Sequence, residues 1–247
     1  MRLVSLCPSL TELVFDLGRG PDLVGVTEWC VHPADGVAKV EKVGGTKNPK
    51  VARIVELRPD LVLMNDEENR RADADALLAA GLRVLSSLPR DCAGTAEMVR
   101  SIGAALDRAR EAESIALDIE TRSARVRATA IGRAPVRFAY LIWRKPWMAA
   151  SADTFASSLL DQAGGVNVFA ASKERYPEIT PDELARTMPD RVFLCTEPFP
   201  FEVKHVEELA QLTGLARERF VIADGEYLSW HGSRTPAGID YAAALLG

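Results

Sequence analysis

The chain has 247 residues, which is enough for one large domain or for two small lobes that each have a core. A hydrophobic share of 47%, a charged share of 26% and a net charge of -5 are typical of a globular protein and argue weakly against nucleic acid as a partner. No segment approaches the roughly 20 apolar residues of a membrane span, so we do not expect the chain to span a membrane.

The N-terminus leads directly into a predicted strand and lacks the segments and the cleavage site of a signal peptide. We therefore predict a cytoplasmic location for the sequence as it stands, or a periplasmic or cell-surface location if a leader was trimmed. The four cysteines (Cys7, Cys30, Cys92 and Cys195) have no CxxC spacing, so we expect reduced thiols rather than a disulfide framework.

The first 90 residues alternate short apolar strands with helices, which predicts a mostly parallel sheet covered on both faces. The predicted elements are strands at residues 3–6, 23–26, 40–43 and 82–85, and helices that begin at Pro8 and at Asn69.

Residues 48–65 have an imperfect echo at residues 180–196. Each copy predicts a capped helix, a Pro-Asp corner and a buried strand. Asn48 and Thr180 are the predicted N-caps, each followed by a proline at the first helical position. Two such units predict two lobes built to one plan, with a cleft between them that could hold a ligand.

No proline interrupts residues 95–130, where apolar residues recur every three or four positions. This pattern predicts one long amphipathic helix, which would act as a rigid strut. The second lobe is predicted to contain strands at residues 136–143, 191–195 and 220–223 and helices at residues 154–162, 181–187, 203–212 and 236–246.

The predicted fold class is therefore α/β, with two Rossmann-like lobes of mostly parallel sheet joined by one long α-helix. The predicted bounds are 1–92 for the N-terminal lobe, 93–132 for the connecting helix and 133–247 for the C-terminal lobe.

Ligands of parallel α/β sheets bind at the carboxyl ends of the strands, so the residues that follow each strand are the site candidates. All four tryptophans fall in these loops, which predicts a surface for a flat or apolar ligand. The predicted ligand-binding residues are Cys7, Glu28, Trp29, His32, Lys47, Asn69, Arg70, Trp143, Arg144, Trp147, Tyr176, Trp230, His231 and Arg234.

Glu28, Cys30 and His32 alternate along one loop and are suitable ligand types for a transition metal. We predict Cys30 and His32 as metal ligands, and the alternative is a polar loop with a packed thiol. His205, by contrast, falls on a predicted surface helix. The lysines and arginines around the predicted cleft suit carboxylate or phosphate groups of a ligand, and surface solvation is the alternative for them.

Catalytic signatures are missing, since no GxSxG, P-loop or strand-following GxGxxG occurs. Cys7 at a helix N-terminus is expected to have a lowered pKa, with His32 or His231 as a base. An enzyme therefore stays an alternative that the sequence does not favour.

Five segments carry a family resemblance: RLVSLCPSLTELVFDLG, LVGVTEWCVHP, KVGGTKNPKVARIVELRPDLVL, WRKPWMAASADTFASSLLDQAGGVNVF and YPEITPDEL. Over nearly its whole length the chain resembles the helical-backbone metal receptor superfamily, the periplasmic cobalamin and ferric-siderophore binding proteins of ABC importers. The resemblance implies two α/β lobes joined by a long helix and a non-catalytic ligand cleft.

The resemblance also implies residue roles. Trp29 and His32 fall on the loop that presents an aromatic ring to the corrin, and Trp147 and Tyr176 match other aromatics of the pocket. The segment 230–234 matches a polar ligand loop loosely. Relatives carry an acidic residue on each lobe that docks on permease arginines. Asp182 or Glu183 fits that place in the second lobe, whereas Arg71 occupies it in the first, after Glu67 and Glu68.

We therefore predict a substrate-binding protein of the ABC-transporter type, not an enzyme, that holds a corrinoid or another metal chelate between aromatic residues. The predicted partners are a small-molecule chelate and an ABC permease, and no cofactor is required. Two alternatives remain: a cytoplasmic enzyme or sensor that acts on a metal chelate or tetrapyrrole with Cys7, Cys30 and His32, and a scaffold whose long helix binds a partner. The sequence leaves cobalamin, haem, siderophore and bare metal open as ligands.

Overall fold

The computed structural model describes residues 1–247 and alternates strands with helices along the chain. The strands are β1 Leu3–Ser5, β2 Leu23–Val26, β3 Leu61–Asn65, β4 Val84–Ser87, β5 Val136–Trp143, β6 Trp147–Ala149, β7 Gly165–Asn167, β8 Glu178–Ile179, β9 Arg191–Cys195 and β10 Phe220–Ala223. The helices are α1 Pro8–Asp16, α2 Ala34–Val37, α3 Val51–Leu57, α4 Arg71–Ala79, α5 Cys92–Ala105, α6 Ala109–Ala130, α7 Phe155–Gln162, α8 Pro181–Thr187, α9 Val203–Thr213, α10 Gly225–Ser229 and α11 Thr235–Leu246. The predicted α/β class is confirmed.

Two units share these elements. The first contains Met1–Pro89, Ala93–Asp118 and His231–Arg234, and the second contains Arg90–Cys92, Ile119–Trp230 and Thr235–Gly247. These units depart from the predicted bounds because α6 is divided between them and because four residues near the C-terminus pack with the first unit.

The first unit contains a parallel sheet with the strand order β2-β1-β3-β4. In the centre of the sheet, Val4 pairs with Val62. Both are fully buried and pack with Ile54 of α3 and Leu77 of α4. This sheet has the continuous apolar strands that burial on both faces requires.

The second unit contains a mixed sheet with the order β10-β9-β5-β6-β8, and β7 pairs with the first residues of β5. β10, β9, β5 and β7 are parallel, whereas β6 and β8 are antiparallel to their neighbours. β5 and β6 are joined by three residues, which allow only a hairpin between adjacent strands. The turn 144–146 therefore lies at the carboxyl end of β5.

The predicted repeat of helix, Pro-Asp corner and strand is confirmed. α3 and α8 have seven residues each, and each ends at a residue in the left-handed conformation, Arg58 (φ 49°) and Met188 (φ 46°). An aspartate two residues later ties each corner to the neighbouring strand: Asp60 N–H donates to Arg2 O (2.8 Å) and Asp190 N–H to Arg137 O (2.8 Å).

The two copies differ at their helix starts. Thr180 is the N-cap of α8, as predicted, and its hydroxyl oxygen accepts a hydrogen bond from Glu183 N–H (3.2 Å). The prediction of Asn48 as the other N-cap is wrong, because α3 begins at Val51 with Lys50 as its cap. Residues 48–50 are held in extended form instead, since Lys50 N–H donates to Val43 O (2.7 Å). The candidate strand at residues 40–43 is reduced to one isolated bridge, from Lys42 to Val26.

The stretch predicted as one long helix consists of two helices, α5 and α6. The chain turns at Asp107, which has φ 55°, and Arg108 N–H donates to Gly103 O (2.8 Å). A Cβ atom on Gly103 would lie 2.1 Å from the Cβ of Ala112, so the missing side chain lets the start of α6 pack on the end of α5. No helix of the structure combines the length and apolar character that crossing a membrane requires.

Candidate functional site

Buried hydroxyl groups line the carboxyl end of the first sheet. Thr11, on α1, donates to Ser5 Oγ (2.9 Å), and its hydroxyl oxygen lies 3.1 Å from Cys30 Sγ. Cys30 Sγ also lies 3.1 Å from Thr27 Oγ1. These contacts hold the backbone of the loop on which Trp29 stands exposed.

The structure contradicts the prediction of Cys30 as a metal ligand, whereas that of His32 stays a prediction. Cys30 is 1% exposed and its thiol points inward, whereas Glu28 is exposed and His32 is half-buried. No group of three or more His, Cys, Asp or Glu side chains could hold a metal ion. The alternating loop does not place these side chains together because its cysteine packs as part of the core.

The prediction of a lowered pKa for Cys7 is wrong. Cys7 stands at the N-cap position of α1, but its side chain is buried and its Sγ lies 3.3 Å from Ser9 Oγ. Burial raises the pKa of the thiol from 9.0 to about 12. The loss of water around the thiolate therefore outweighs the favourable end of the helix dipole.

Two buried asparagines hold the loop between β3 and α4. Asn65 Oδ1 accepts hydrogen bonds from the backbone N–H groups two (3.0 Å) and three (3.1 Å) residues later. Asn69 Oδ1 accepts from Asn65 N–H (2.9 Å), and Asn69 Nδ2 donates to the carbonyls of Leu6 and Thr46, both at 2.9 Å. Both amide hydrogens of Asn69 are used. This predicted ligand-binding residue therefore positions the loops around the site.

His231 packs with the same loop. Its Nε2 lies 2.7 Å from Asn65 Nδ2, and Asn65 Nδ2 also donates to Ser87 O (3.0 Å). Because an amide nitrogen only donates, this contact makes Nε2 the acceptor and assigns the proton of the neutral ring to Nδ1. His231 is buried, so it supports the site from beneath.

Each predicted cation of the first unit is already bonded. Arg234 forms a bidentate pair with Glu12 (2.9 Å and 2.5 Å), and both side chains are less than a fifth exposed. Arg70 pairs with Asp73 in the first turn of α4 (2.9 Å and 3.2 Å). Lys47 Nζ donates to a backbone carbonyl of the β3–α4 loop (2.5 Å).

Glu68 is a half-buried acid of this unit that the predicted site set omitted. Burial raises the pKa of its carboxyl above the ordinary 4.5, and the ammonium of Lys47 offsets only part of that rise. Ionisation of the Glu68 carboxyl therefore costs more free energy in this environment than in water.

The second unit carries an aromatic platform, which consists of Trp143, Trp147, Phe199 and Phe201. Trp147 stacks on Phe201 with the ring centroids 6.0 Å apart and an interplanar angle of 2°. Phe199 contacts Phe201 (4.8 Å) and meets Trp143 edge to face (5.6 Å, 72°). The rings come from the β5–β6 hairpin and from the loop after β9, two strand ends that the parallel β5–β9 pairing places side by side.

Arg144 and His205 support the platform. The guanidinium of Arg144 lies 5.8 Å from the Trp147 ring centroid and forms a bidentate pair with Glu208 of α9 (2.8 Å and 2.7 Å). The predicted surface position of His205 is wrong, because its ring is buried against Phe199 (5.2 Å). Its Nδ1 accepts a hydrogen bond from Glu202 N–H (2.9 Å), and burial lowers its pKa, so the ring is held neutral.

The other predicted aromatics differ in exposure. Trp230 is 6% exposed, and its Nε1 donates to Glu197 Oε2 (2.7 Å). Tyr176 is half-buried under the guanidinium of Arg175 (5.9 Å). Trp29 is 64% exposed. Trp230 is thus part of the framework, whereas Trp29 presents its ring to solvent.

Several residues that the structure places beside predicted site residues were absent from the predicted set, among them Glu12, Asn65, Glu208 and the platform's Phe199 and Phe201. The first three act through partners that are distant in sequence, 222 residues away for Glu12, 166 for Asn65 and 64 for Glu208. No local pattern marks such pairs. Phe201 follows the end of a predicted strand, and this position is the sequence signal that could have marked it as a site candidate.

A model of the periplasmic binding protein family matches residues 3–227 of this chain. Among curated proteins, the vitamin B12-binding protein of Vibrio cholerae is 24% identical over 192 residues, which cover 78% of this chain and 69% of that protein. The vitamin B12-binding protein of Vibrio vulnificus is 21% identical over 239 residues, which cover 97% of this chain and 87% of that protein.

Solved structures are similar over almost the whole chain. The periplasmic vitamin B12-binding protein of Vibrio cholerae has a TM-score of 0.85 at 21% identity and covers 99% of this chain and 96% of its own. The periplasmic haem-binding protein from Roseiflexus sp. RS-1 has a TM-score of 0.85 at 23% identity and covers 100% of this chain and 99% of its own. These likenesses establish the shared fold.

The prediction of a cytoplasmic location is wrong. The matching family is that of periplasmic binding proteins, and the similar structures are those of periplasmic proteins. The prediction rested on the first residues of the given sequence, whereas the family match rests on residues 3–227.

Proposed function

This chain belongs to the periplasmic binding protein family, and we propose that it binds a metal tetrapyrrole, a corrinoid or haem, for an ABC importer. The proposed contacts with the ligand come from loops at the carboxyl ends of strands. The proposed role is non-catalytic, since capture and delivery need no bond to be made or broken.

The aromatic platform is the observation that carries this proposal. Its rings stand on a hairpin and a strand-end loop, and Trp143 and Trp147 keep part of their surfaces accessible to solvent. A macrocycle that covers about 100 Å² of one ring gains roughly 2.5 kcal/mol, or almost a hundredfold in affinity, at about 25 cal/mol per Å². A flat, largely apolar ligand is the class that gains most from such a surface.

In the first unit, Trp29 and His32 are the residues proposed to contact the ligand. Trp29 presents an exposed indole ring, and His32 lies three residues further along the same loop. An imidazole is a suitable axial ligand for the cobalt or iron of a bound chelate. The metal would arrive with the ligand, and the buried Cys30 would take no part.

The enzyme alternative lacks a nucleophile. Burial raises the pKa values of Cys7 and Cys195 to about 12. At neutral pH only about one thiol in 100,000 would then be ionised. Cys30 packs against two threonine hydroxyls and is buried as well.

A permease is the proposed macromolecular partner. Asp182 is exposed in the first turn of α8, whereas the Glu183 carboxylate accepts two hydrogen bonds from Thr180 (2.7 Å and 2.9 Å). Arg71 of the first unit pairs with Asp75. We expect Asp182→Arg to slow ligand uptake by permease-containing vesicles at unchanged ligand affinity, and an unchanged uptake rate would exclude this docking residue.

Titration of the purified protein with hydroxocobalamin and with haemin tests the proposal. Tryptophan fluorescence and the absorption spectrum of the chelate report binding. Saturable binding of one chelate at micromolar or tighter affinity is expected, weakened about tenfold or more in Trp147→Ala. Ile131→Ala is a matched control, since Ile131 is exposed and lies outside the platform.

A change in the metal absorption bands that is lost in His32→Ala would support axial coordination. Absence of saturable binding by either chelate up to about 100 µM would refute the proposed function.

A further inference from the structure

Two arginines of the predicted ligand-binding set are neutralised within the chain. Arg144 donates its Nε and Nη2 hydrogens to the two carboxylate oxygens of Glu208. Arg234 donates the same two groups to Glu12. A bidentate pair of this kind occupies one forked face of the guanidinium, Nε with Nη2, so that face cannot receive a carboxylate of the ligand.

These pairs are sheltered from water. The exposed fractions of the side chains are 16% and 17% for Arg234 and Glu12, and 20% and 35% for Arg144 and Glu208. Removal of one partner from a sheltered pair leaves an uncompensated charge, so such a pair is costly to open for a ligand.

The other predicted cations also have acidic neighbours within the chain, so they leave little positive charge for acidic groups of a ligand. Arg70 pairs with Asp73, and Lys47 lies beside the half-buried Glu68. Lys145, in the β5–β6 turn, is close enough to Glu208 to help lower the pKa of that carboxyl. The cationic side chains predicted to receive acidic ligand groups are thus largely balanced by carboxylates of the chain.

The two candidate ligands differ in their rims. Haem carries two propionate carboxylates, whereas the rim of a corrinoid carries uncharged amides. Carboxylates that leave water need cations or several hydrogen-bond donors, whereas amides need only ordinary donors and acceptors.

We propose that Glu208 of the second unit and Glu12 of the first are specificity-determining residues. By holding Arg144 and Arg234 in closed pairs, they favour an amide-rimmed macrocycle over a carboxylate-rimmed one. This inference rests on the proposed function and names the corrinoid class for that same site. Glu208 also keeps Arg144 over Trp147, so one carboxylate both orders the platform and removes a receptor for propionate.

The first test uses the unaltered protein. It is titrated with hydroxocobalamin, haemin, zinc mesoporphyrin and the dimethyl ester of zinc mesoporphyrin, which lacks only the two carboxylates. We expect hydroxocobalamin to bind at least about tenfold more tightly than haemin, and the ester to bind at least as tightly as the free acid. Tighter binding of haemin, or a free acid that binds about tenfold more tightly than its ester, would overturn the inference.

The second test uses Glu208→Gln and Glu12→Gln, which free one guanidinium each. The ratio of haemin affinity to hydroxocobalamin affinity should rise about tenfold in each variant, and the gain should weaken with added salt. Glu207→Gln is the matched control on the same helix, since Glu207 pairs with Arg217 away from the platform. An unchanged ratio in folded Glu208→Gln and Glu12→Gln would overturn the inference, and binding of neither chelate by the unaltered protein would refute the proposed function itself.

Discussion

Substitution of Asn65 by alanine should loosen the first unit around the proposed site. The Asn65 side chain makes four contacts: two accepted from the backbone of the β3–α4 loop, one donated to Ser87 O and one to His231 Nε2. Each is worth about 1 kcal/mol net, and three of the four are only partly shielded from water, so we expect a loss of roughly 3 kcal/mol. The β3–α4 loop, whose Glu67 carbonyl accepts a hydrogen bond from Lys47 Nζ, should become less ordered when these bonds are lost.

Urea unfolding followed by circular dichroism measures the loss in free energy of unfolding. Native-state hydrogen exchange at the amides of Glu67 and Glu68 shows whether the loss is local to the β3–α4 loop. Ile131→Ala is the control, because the Ile131 side chain is exposed and has no polar group that could form a hydrogen bond. A loss below about 1 kcal/mol in Asn65→Ala, with unchanged exchange at both amides, would refute this account.

Three further outcomes follow from local contacts. Thr180→Ala removes the side-chain cap of α8 and should lower the free energy of unfolding by about 1 kcal/mol, whereas an unaltered urea midpoint would contradict the cap's role. Glu68→Gln should raise thermal stability at neutral pH. Burial raises the pKa of Glu68 in the folded state above its ordinary value of 4.5. Ionisation of Glu68 therefore destabilises the folded protein fully at pH values above the raised pKa, and not at all below pH 4.5. The gain should therefore vanish in melting curves below pH 4.5, and a gain that persists there would contradict the cause. Gly225→Ala should cost roughly 1–3 kcal/mol, since the new Cβ would lie 2.7 Å from Glu197 Cβ, and chemical denaturation without a shift would contradict this.

Local signals were enough to predict most of the fold. Thr180 followed by Pro181 marks a helix start by capping chemistry alone, and the same residues begin α8 in the structure. Asn48 carries an equally good signal, but a bridge between Gly44 and Pro49 holds its segment in extended form. The turn at Asp107 has neither proline nor glycine, so the pattern of apolar residues continued across it without a visible break.

Sequence rules selected candidate site residues by their positions and could not predict the contacts of those residues. The rule that ligands meet strand ends led to Trp143, Trp147 and Trp29. The same rule selected Asn69 and His231, whose polar groups turn inward to hold loops together. Whether an arginine is available to a ligand depends on a carboxylate elsewhere in the chain, as the Arg234–Glu12 pair shows across 222 residues. Sequence spacing does not encode such a pairing.

The return of His231–Arg234 to the first unit affects the order in which the protein can mature. Asn65 and Glu12 are synthesised early, but their partners His231 and Arg234 belong to the last 17 residues of the chain. The first unit therefore cannot reach its final packing while the ribosome is still extending the chain. The half that is translated first is thus completed last.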